Sequence, residues 1–63
     1  MSDSAQRVLI ALMDYSNSHY MNPILTIREF FDDKNIGPVG EDYVSLTAEE
    51  EKQVIQAFLE SAY

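Results

Sequence analysis

Residues 3–15 read DSAQRVLIALMDY, a stretch whose apolar residues recur every three or four positions, as in an α-helix. At about 100° per residue, Ile10 and Met13 widen the apolar arc to roughly 220°, which is more than one neighbouring helix covers. Two alternatives follow from this width. Either the helix is the centre of a bundle and is packed on two sides, or Ile10 and Met13 belong to an interface between molecules.

Two more helices are predicted further along the chain. Asn22 can cap a helix that begins at Pro23, with Thr26 as a rival start, and this helix runs to about residue 34. Thr47 and Glu50 have the spacing of a capping box, which begins a last helix that runs to about residue 61. The residues predicted to face the core from these helices are Ile24, Ile27, Phe30, Phe31, Val54, Ile55, Phe58, Leu59 and Ala62.

The segment before the last helix contains Gly37, Pro38 and Gly40, so its backbone is predicted to be irregular. No internal repeat or low-complexity tract divides the chain. The sequence therefore predicts an all-α fold in a single small helical domain over residues 1–63. We expect a compact three-helix bundle with helices at about residues 4–17, 23–34 and 48–61 and an irregular Gly/Pro loop before the last helix.

The composition limits the class of protein. A chain of 63 residues buries only about 60% of the surface that its unfolded form exposes, so marginal stability is expected. Cysteine is absent, which fits a reducing compartment. The longest apolar run, residues 8–13, is far shorter than the roughly 20 residues of a membrane span, and the first residues lack the basic character of a secretory signal. We therefore expect a cytoplasmic protein with no membrane partner.

Motifs for catalysis or metal binding are weak. His19 is the single histidine, and its nearest acid in the sequence is Asp14. A catalytic histidine needs an orienting partner, and a zinc site needs three or four suitable ligands. We expect His19 to be an exposed residue at a helix end, and we expect no enzymatic activity, no metal site and no cofactor.

The acidic residues are concentrated in the second half of the chain. Of the net charge of −7, residues 1–31 contribute three acids and two bases, whereas residues 32–63 contribute eight acids and two bases. Spread carboxylates on a rigid bundle accelerate association with a basic partner. The interpretation we favour is a small acidic interaction module, an adaptor, regulator or inhibitor, that docks on a basic surface of a larger protein. If that surface is a nucleic-acid groove, the chain is a nucleic-acid mimic.

The predicted contacts of this docking surface are seven acids and one aromatic residue: Asp32, Asp33, Glu41, Asp42, Tyr43, Glu49, Glu50 and Glu60. Tyr43 is predicted to be an aromatic anchor in a mobile loop. Direct binding of nucleic acid is not expected, because the basic residues are dispersed and do not form a patch that could neutralise phosphates.

The alternative is a homodimeric structural or regulatory helical module that uses the apolar face of the first helix. The acids would then only solvate the protein. The predicted dimer interface contains Ile10, Met13, Tyr20 and Met21, which would pair across a two-fold axis. Salt distinguishes the two interpretations, because it weakens a complex between charged surfaces and leaves a hydrophobic dimer almost unchanged.

Overall fold

A computed structural model describes residues 1–32 and 36–63 as an arrangement of four α-helices. They are α1 (Asp3–His19), α2 (Pro23–Phe30), α3 (Gly40–Val44) and α4 (Ala48–Ala62), with a 3-10 turn at Gly37–Val39 just before α3. No strand occurs in these two ranges of the chain. The prediction of an all-α fold is confirmed, but the bundle has four helices instead of three.

The first helix, α1, begins after Ser2, whose side-chain oxygen accepts a hydrogen bond from the Ala5 amide at 3.1 Å. It ends at His19 and is therefore longer than the predicted range of 4–17 at both ends. Ala5, Val8 and Leu12 are fully buried, at the helical spacing of three and four. These three residues form the stripe on which the rest of the molecule packs.

The other elements all pack on α1. α2, α3, α4 and the 3-10 turn each contact it, so the structure agrees with the alternative of a central helix. Met13 packs against the core as that alternative expects, whereas Ile10 remains 59% exposed. The buried hydrophobic residues are Ala5, Val8, Leu12, Phe30, Ile36, Val54 and Phe58.

The second helix, α2, begins where the sequence predicts, with Asn22 as cap and Pro23 as first residue. The Asn22 side chain accepts a hydrogen bond from the Leu25 amide at 2.8 Å. The helix ends at Phe30 instead of about residue 34, because Phe31 has a ψ of 8° and has left the helical region. Residues 33–35, where the predicted end falls, lie outside the described residues.

The predicted core-facing side of α2 is confirmed at Ile27, Phe30 and Phe31 but is wrong at Ile24. The pattern places Ile24 inside, but Ile24 is 67% exposed and Thr26 is fully buried. The Thr26 hydroxyl donates to the Asn22 carbonyl oxygen at 2.9 Å, so its burial leaves no polar group unsatisfied. The rival helix start at Thr26 is wrong, because α2 begins at Pro23 and Thr26 lies inside it.

The prediction of an irregular Gly/Pro loop is wrong, because residues 37–44 form the 3-10 turn and α3. Glycine disfavours a helix but can adopt its dihedral angles, and Gly40 does so with φ −58° and ψ −42°. Pro38 lies in the first turn, where its missing amide costs no hydrogen bond. Glu41 and Asp42 lie in the first turn of α3, where the helix dipole favours acids, and Tyr43 packs against the core.

The last helix, α4, has the predicted capping box. The Thr47 side-chain oxygen accepts from the Glu50 amide at 3.1 Å, and the Glu50 carboxylate accepts from the Thr47 amide at 2.9 Å. The helix extends to Ala62, one residue beyond the predicted end. Local sequence therefore determines where α4 begins.

The apolar residues of α4 form two adjacent stripes. Val54 and Phe58 lie one turn apart and are buried in the core. Ile55 and Leu59 lie one position further along, about 100° around the helix, and are only half-buried. Ala62, which was predicted to be buried with them, is exposed. One stripe of α4 therefore reaches the core, and the second lies beside it.

We expect Phe58→Ala to lower the free energy of unfolding by about 3–5 kcal/mol, because Phe58 is 2% exposed and its loss leaves a cavity in the core. Urea unfolding followed by circular dichroism would measure the change. Ile10→Ala is the matched control, and we expect its effect to stay within about 0.5 kcal/mol because Ile10 is largely exposed. Equal stability of the two variants would contradict the burial of Phe58.

We expect Tyr20→Gly to stabilise the protein by about 1 kcal/mol and to raise the melting temperature by about 4–8 °C. Tyr20 ends α1 with a φ of 52°, in the left-handed region where a Cβ is strained, and its side chain is 92% exposed. Tyr20→Ala is the control, because it removes the same ring but keeps the Cβ. If both variants change the melting temperature equally, the strain does not come from the Cβ.

Candidate protein-interaction surface

Asp42, one of the predicted partner contacts, is engaged within the molecule. Its carboxylate accepts a hydrogen bond from the Arg7 guanidinium at 2.8 Å, which joins α3 to α1. This hydrogen bond holds the pKa of Asp42 below its usual range and raises the pKa of Arg7. Because the Asp42 side chain is only 22% exposed and is paired with Arg7, it presents little of its carboxylate to a partner.

Glu50 is a second predicted contact with partners inside the molecule. The nearby Ser2 side chain, as the larger cause, and hydrogen bonding with Thr47 hold the pKa of Glu50 below its usual range. The Glu50 carboxylate accepts a hydrogen bond from the Thr47 amide at 2.9 Å. Ser2 caps α1 and Thr47 caps α4, so Glu50 lies close to the amino-terminal ends of both helices. The half-buried Glu50 is therefore part of the fold, like Asp42.

The remaining predicted acids are dispersed. Glu41, Glu49 and Glu60 are exposed. Glu49 and Glu60 lie eleven positions apart on α4, which is roughly 16 Å along the helix axis. Asp32 is exposed and takes part in an interaction, and Asp33 lies outside the described residues. Among the described residues, the exposed carboxylates of α3 and α4 are thus spread over both helices and do not form a dense cluster.

Tyr43, predicted as an anchor in a mobile loop, lies in α3 instead. Its ring packs on Phe31 with 5.1 Å between the ring centres, and Phe31 packs on Phe30 with 5.0 Å between theirs. The Tyr43 side chain is half-buried. It is therefore held in place by the core and presents only part of its surface to a partner.

His19 is exposed at the end of α1, as predicted. Its ring nitrogen Nδ1 lies 2.9 Å from the Tyr15 carbonyl oxygen, and its ring stacks on that of Tyr15 with 3.9 Å between the centres. Within the described part of the chain, no three His, Cys, Asp or Glu side chains are grouped to hold a metal ion. No helix in that part combines the length and the hydrophobicity that a bilayer span requires.

The four residues predicted for a dimer interface differ in exposure. Ile10 is 59% and Tyr20 is 92% exposed, whereas Met13 and Met21 are half-buried, and Met13 packs against the core. Ile10 lies near the middle of α1, whereas Tyr20 is the residue that follows its end. The two exposed side chains are therefore separate apolar positions and not one continuous patch.

An apolar groove between α2 and α4 is the feature that the sequence analysis does not predict. Both helices pack on α1, and their outer sides leave a space between them. This space is a cavity of about 300 Å³ lined by Ile27, Phe31, Tyr43, Glu51 and Ile55. Four of these five side chains are apolar or aromatic, so the cavity has the character of a binding site for an apolar group.

Two further cavities adjoin this one. A cavity of about 510 Å³ on α4 shares Glu51 and Ile55 with it and reaches Leu59. A cavity of about 470 Å³ beside α3 shares Phe31 and Tyr43 with it. Because neighbouring cavities share lining residues, we infer that the three form one open trough across α4, α2 and α3. We call this trough the α2–α4 groove.

The second apolar stripe of α4 is the sequence signal that could have indicated the groove. A helix that packs on a single neighbour needs only one apolar stripe. Val54 and Phe58 supply that stripe, so Ile55 and the part of Leu59 that does not pack against the core are available for another contact. In the sequence alone, the two stripes merge into one wide apolar face that is typical of a deeply buried helix.

Comparison of the chain with protein-family models, with curated proteins and with solved structures gave no match.

We expect Glu50→Gln to lower the melting temperature at neutral pH and to lose this effect in acid. The pKa of Glu50 is lowered by folding, so its charged form stabilises the protein above the ordinary carboxyl pKa of about 4. That contribution is lost as the pH falls through the lowered pKa of the folded state. The measurement is the difference in melting temperature between wild type and variant from neutral pH to about pH 2.

Glu49→Gln is the control for this experiment, because Glu49 lies in the same first turn of α4 and is exposed. Its removal reports the effect of the helix dipole without the hydrogen bonds of Glu50. We expect a smaller difference for this variant. A Glu50→Gln difference that is the same at every pH would contradict the role of the charged carboxylate.

Proposed function

We propose that the chain is a small acidic protein-interaction module, an adaptor, regulator or inhibitor, that docks its acidic C-terminal half on a basic surface of a larger protein. The observation that carries the proposal is the charge: the net charge is −7, with eight acids and two bases in residues 32–63. Such a field accelerates encounter with a basic partner and disfavours acidic ones. If the basic surface binds nucleic acid, the chain acts there as a nucleic-acid mimic.

The exposed carboxylates of α3 and α4 supply the contact surface in this proposal. Glu41 lies on α3, and Glu49, Glu51 and Glu60 lie on α4. Both helices pack on α1, which keeps these positions fixed relative to one another. A preorganised surface loses little conformational entropy when a partner binds.

The proposal is for binding instead of catalysis. Two of the polar side chains that sequence analysis places at the surface, Asp42 and Glu50, are engaged in the ion pair and in the helix caps. The α2–α4 groove is lined mainly by apolar side chains, and His19 is not among its lining residues. A cytoplasmic setting is part of the proposal, because a chain without cysteine needs no oxidising compartment.

A homodimeric module is the second candidate, and the exposure of Ile10 and Tyr20 favours it. Exposed apolar side chains are typical of surfaces that pair with another molecule. Tyr20 also keeps a strained left-handed backbone, a feature that often accompanies a binding role. In this alternative the acids serve only for solvation.

We expect the double reversal Glu49→Lys, Glu60→Lys to abolish capture of a basic partner by the immobilised chain. The experiment compares capture from an extract of the source cells at about 50 mM and about 500 mM salt. Binding by the wild type should be strong at low salt and lost at high salt. Each reversal adds two charges, so the variant changes the net charge from −7 to −3.

Asp3→Lys, Asp14→Lys is the matched control. Asp3 and Asp14 are exposed, lie eleven positions apart on α1 as Glu49 and Glu60 do on α4, and their reversal also gives a net charge of −3. If both variants lose capture equally, binding depends only on the net charge of the protein. That result would contradict docking through the C-terminal half. A salt-resistant dimer in sedimentation equilibrium would favour the homodimeric alternative.

A further inference from the structure

The α2–α4 groove has walls that are formed before a partner arrives. Ile27, Phe31 and Tyr43 line its central cavity, and each of them also packs against the buried core. Ile55 faces them from α4 and is half-buried. Side chains supported from behind lose little freedom on binding, so this surface is suited to a specific contact.

The groove favours a helical partner because its walls are themselves helices. Backbone amides and carbonyls inside α2 and α4 are engaged in their own hydrogen bonds. An extended peptide in this apolar trough would leave its own amides and carbonyls without partners, which is costly. A helix satisfies these groups internally and presents only side chains.

The size of the groove agrees with a single amphipathic helix. The trough consists of three adjoining cavities, and a helix places three apolar side chains in a row at positions i, i+4 and i+7. The Cα atoms of the molecule span 27 × 25 × 15 Å, and a helix of about 14 residues is roughly 21 Å long. Such a helix therefore fits across one face of the protein.

The charges around the groove favour a basic helix. Glu51 borders two of the three cavities and Glu41 borders the third, whereas Lys52 is the single basic residue among the described residues that line them. A second copy of this chain would bring another net charge of −7 to the same surface. Repulsion between like charges disfavours that occupant, and attraction favours a partner that is rich in Lys and Arg.

We propose that the α2–α4 groove binds an amphipathic helix of a partner protein, with apolar side chains in the three cavities and basic residues opposite Glu51 and Glu41. This inference rests on the proposed function and names the part of the partner that makes the contact. The basic surface of the partner is a helix, and this helix binds in the apolar groove. Acidic residues then bring the partner in, and Ile55 and its neighbours retain it.

The test uses three synthetic peptides of about 14 residues that are labelled for fluorescence anisotropy. The first has leucine at i, i+4 and i+7 and alanine or lysine elsewhere. The second has the same composition in an order that removes the apolar stripe, and the third replaces each lysine by glutamate. We expect the first peptide to bind and to shift the NMR amide signals of residues that line the groove.

Ile55→Gln is the variant that probes the groove, and Ile10→Gln is its matched control. Both replace a helical isoleucine by an uncharged residue, but Ile10 lies on α1 and does not line the groove. We expect Ile55→Gln to weaken binding of the first peptide at least about tenfold and Ile10→Gln to change it less than about twofold. Circular dichroism melting would show that both variants are folded.

Several outcomes would overturn the inference. They are equal binding of the first and second peptides, equal effects of the two variants, or no saturation by about 1 mM of the first peptide. A dimer of the wild type that Ile55→Gln converts to a monomer would also overturn it, by assigning the groove to a second copy.

The failure of the groove and the failure of the acidic docking function are distinguishable. If the first two peptides bind alike and both are lost on Glu49→Lys, Glu60→Lys, the acidic function stands and the helix groove is wrong. If binding depends on Ile55 but not on salt or on the exchange of lysine for glutamate, the groove stands and the acidic function is wrong.

Discussion

Burial of one stripe of α1 is the contact on which the rest of the structure depends. Ala5, Val8 and Leu12 are fully covered because α2, α3 and α4 all pack on this helix. The chain has neither disulfides nor, in its described part, a sheet to hold these helices in another way. Because α2 and α4 meet α1 with one stripe each, their second apolar faces remain beside the core, and the groove is the result.

Polar contacts fix how the helices are placed relative to one another, which apolar packing alone does not determine. The Arg7–Asp42 pair joins α1 to α3, and Glu50 completes the capping box of α4 close to the start of α1. These contacts use acids that a count of charges would assign to a partner. The acidic character of the second half is therefore partly internal, and the remaining exposed carboxylates act together with an apolar groove. In this arrangement, the charges increase the rate at which the protein meets a partner, and the apolar contact keeps the partner bound.

The long helices could be predicted because their signals are local. The capping box at Thr47, the cap at Asn22 and the apolar period of α1 each determine their own segment. The short helix α3 could not be predicted, because it is stabilised by contacts distant in sequence, such as Tyr43 on Phe31. The orientation of α2 also depends on packing, since Thr26 replaces Ile24 inside once its hydroxyl is satisfied within the helix. The groove could not be predicted, because the sequence does not show which of the two apolar stripes of α4 packs on α1.

The packing of α1 against α4 also has a consequence for the order of folding. These helices lie at opposite ends of the sequence, and their packing closes a long loop between them. Such distant contacts raise the average sequence separation, which slows the folding of a small helical protein. During synthesis, the part of the α1 stripe that α4 covers stays exposed until α4 has been made. Nascent chains are therefore exposed to aggregation for longer than those of a bundle built from neighbouring hairpins.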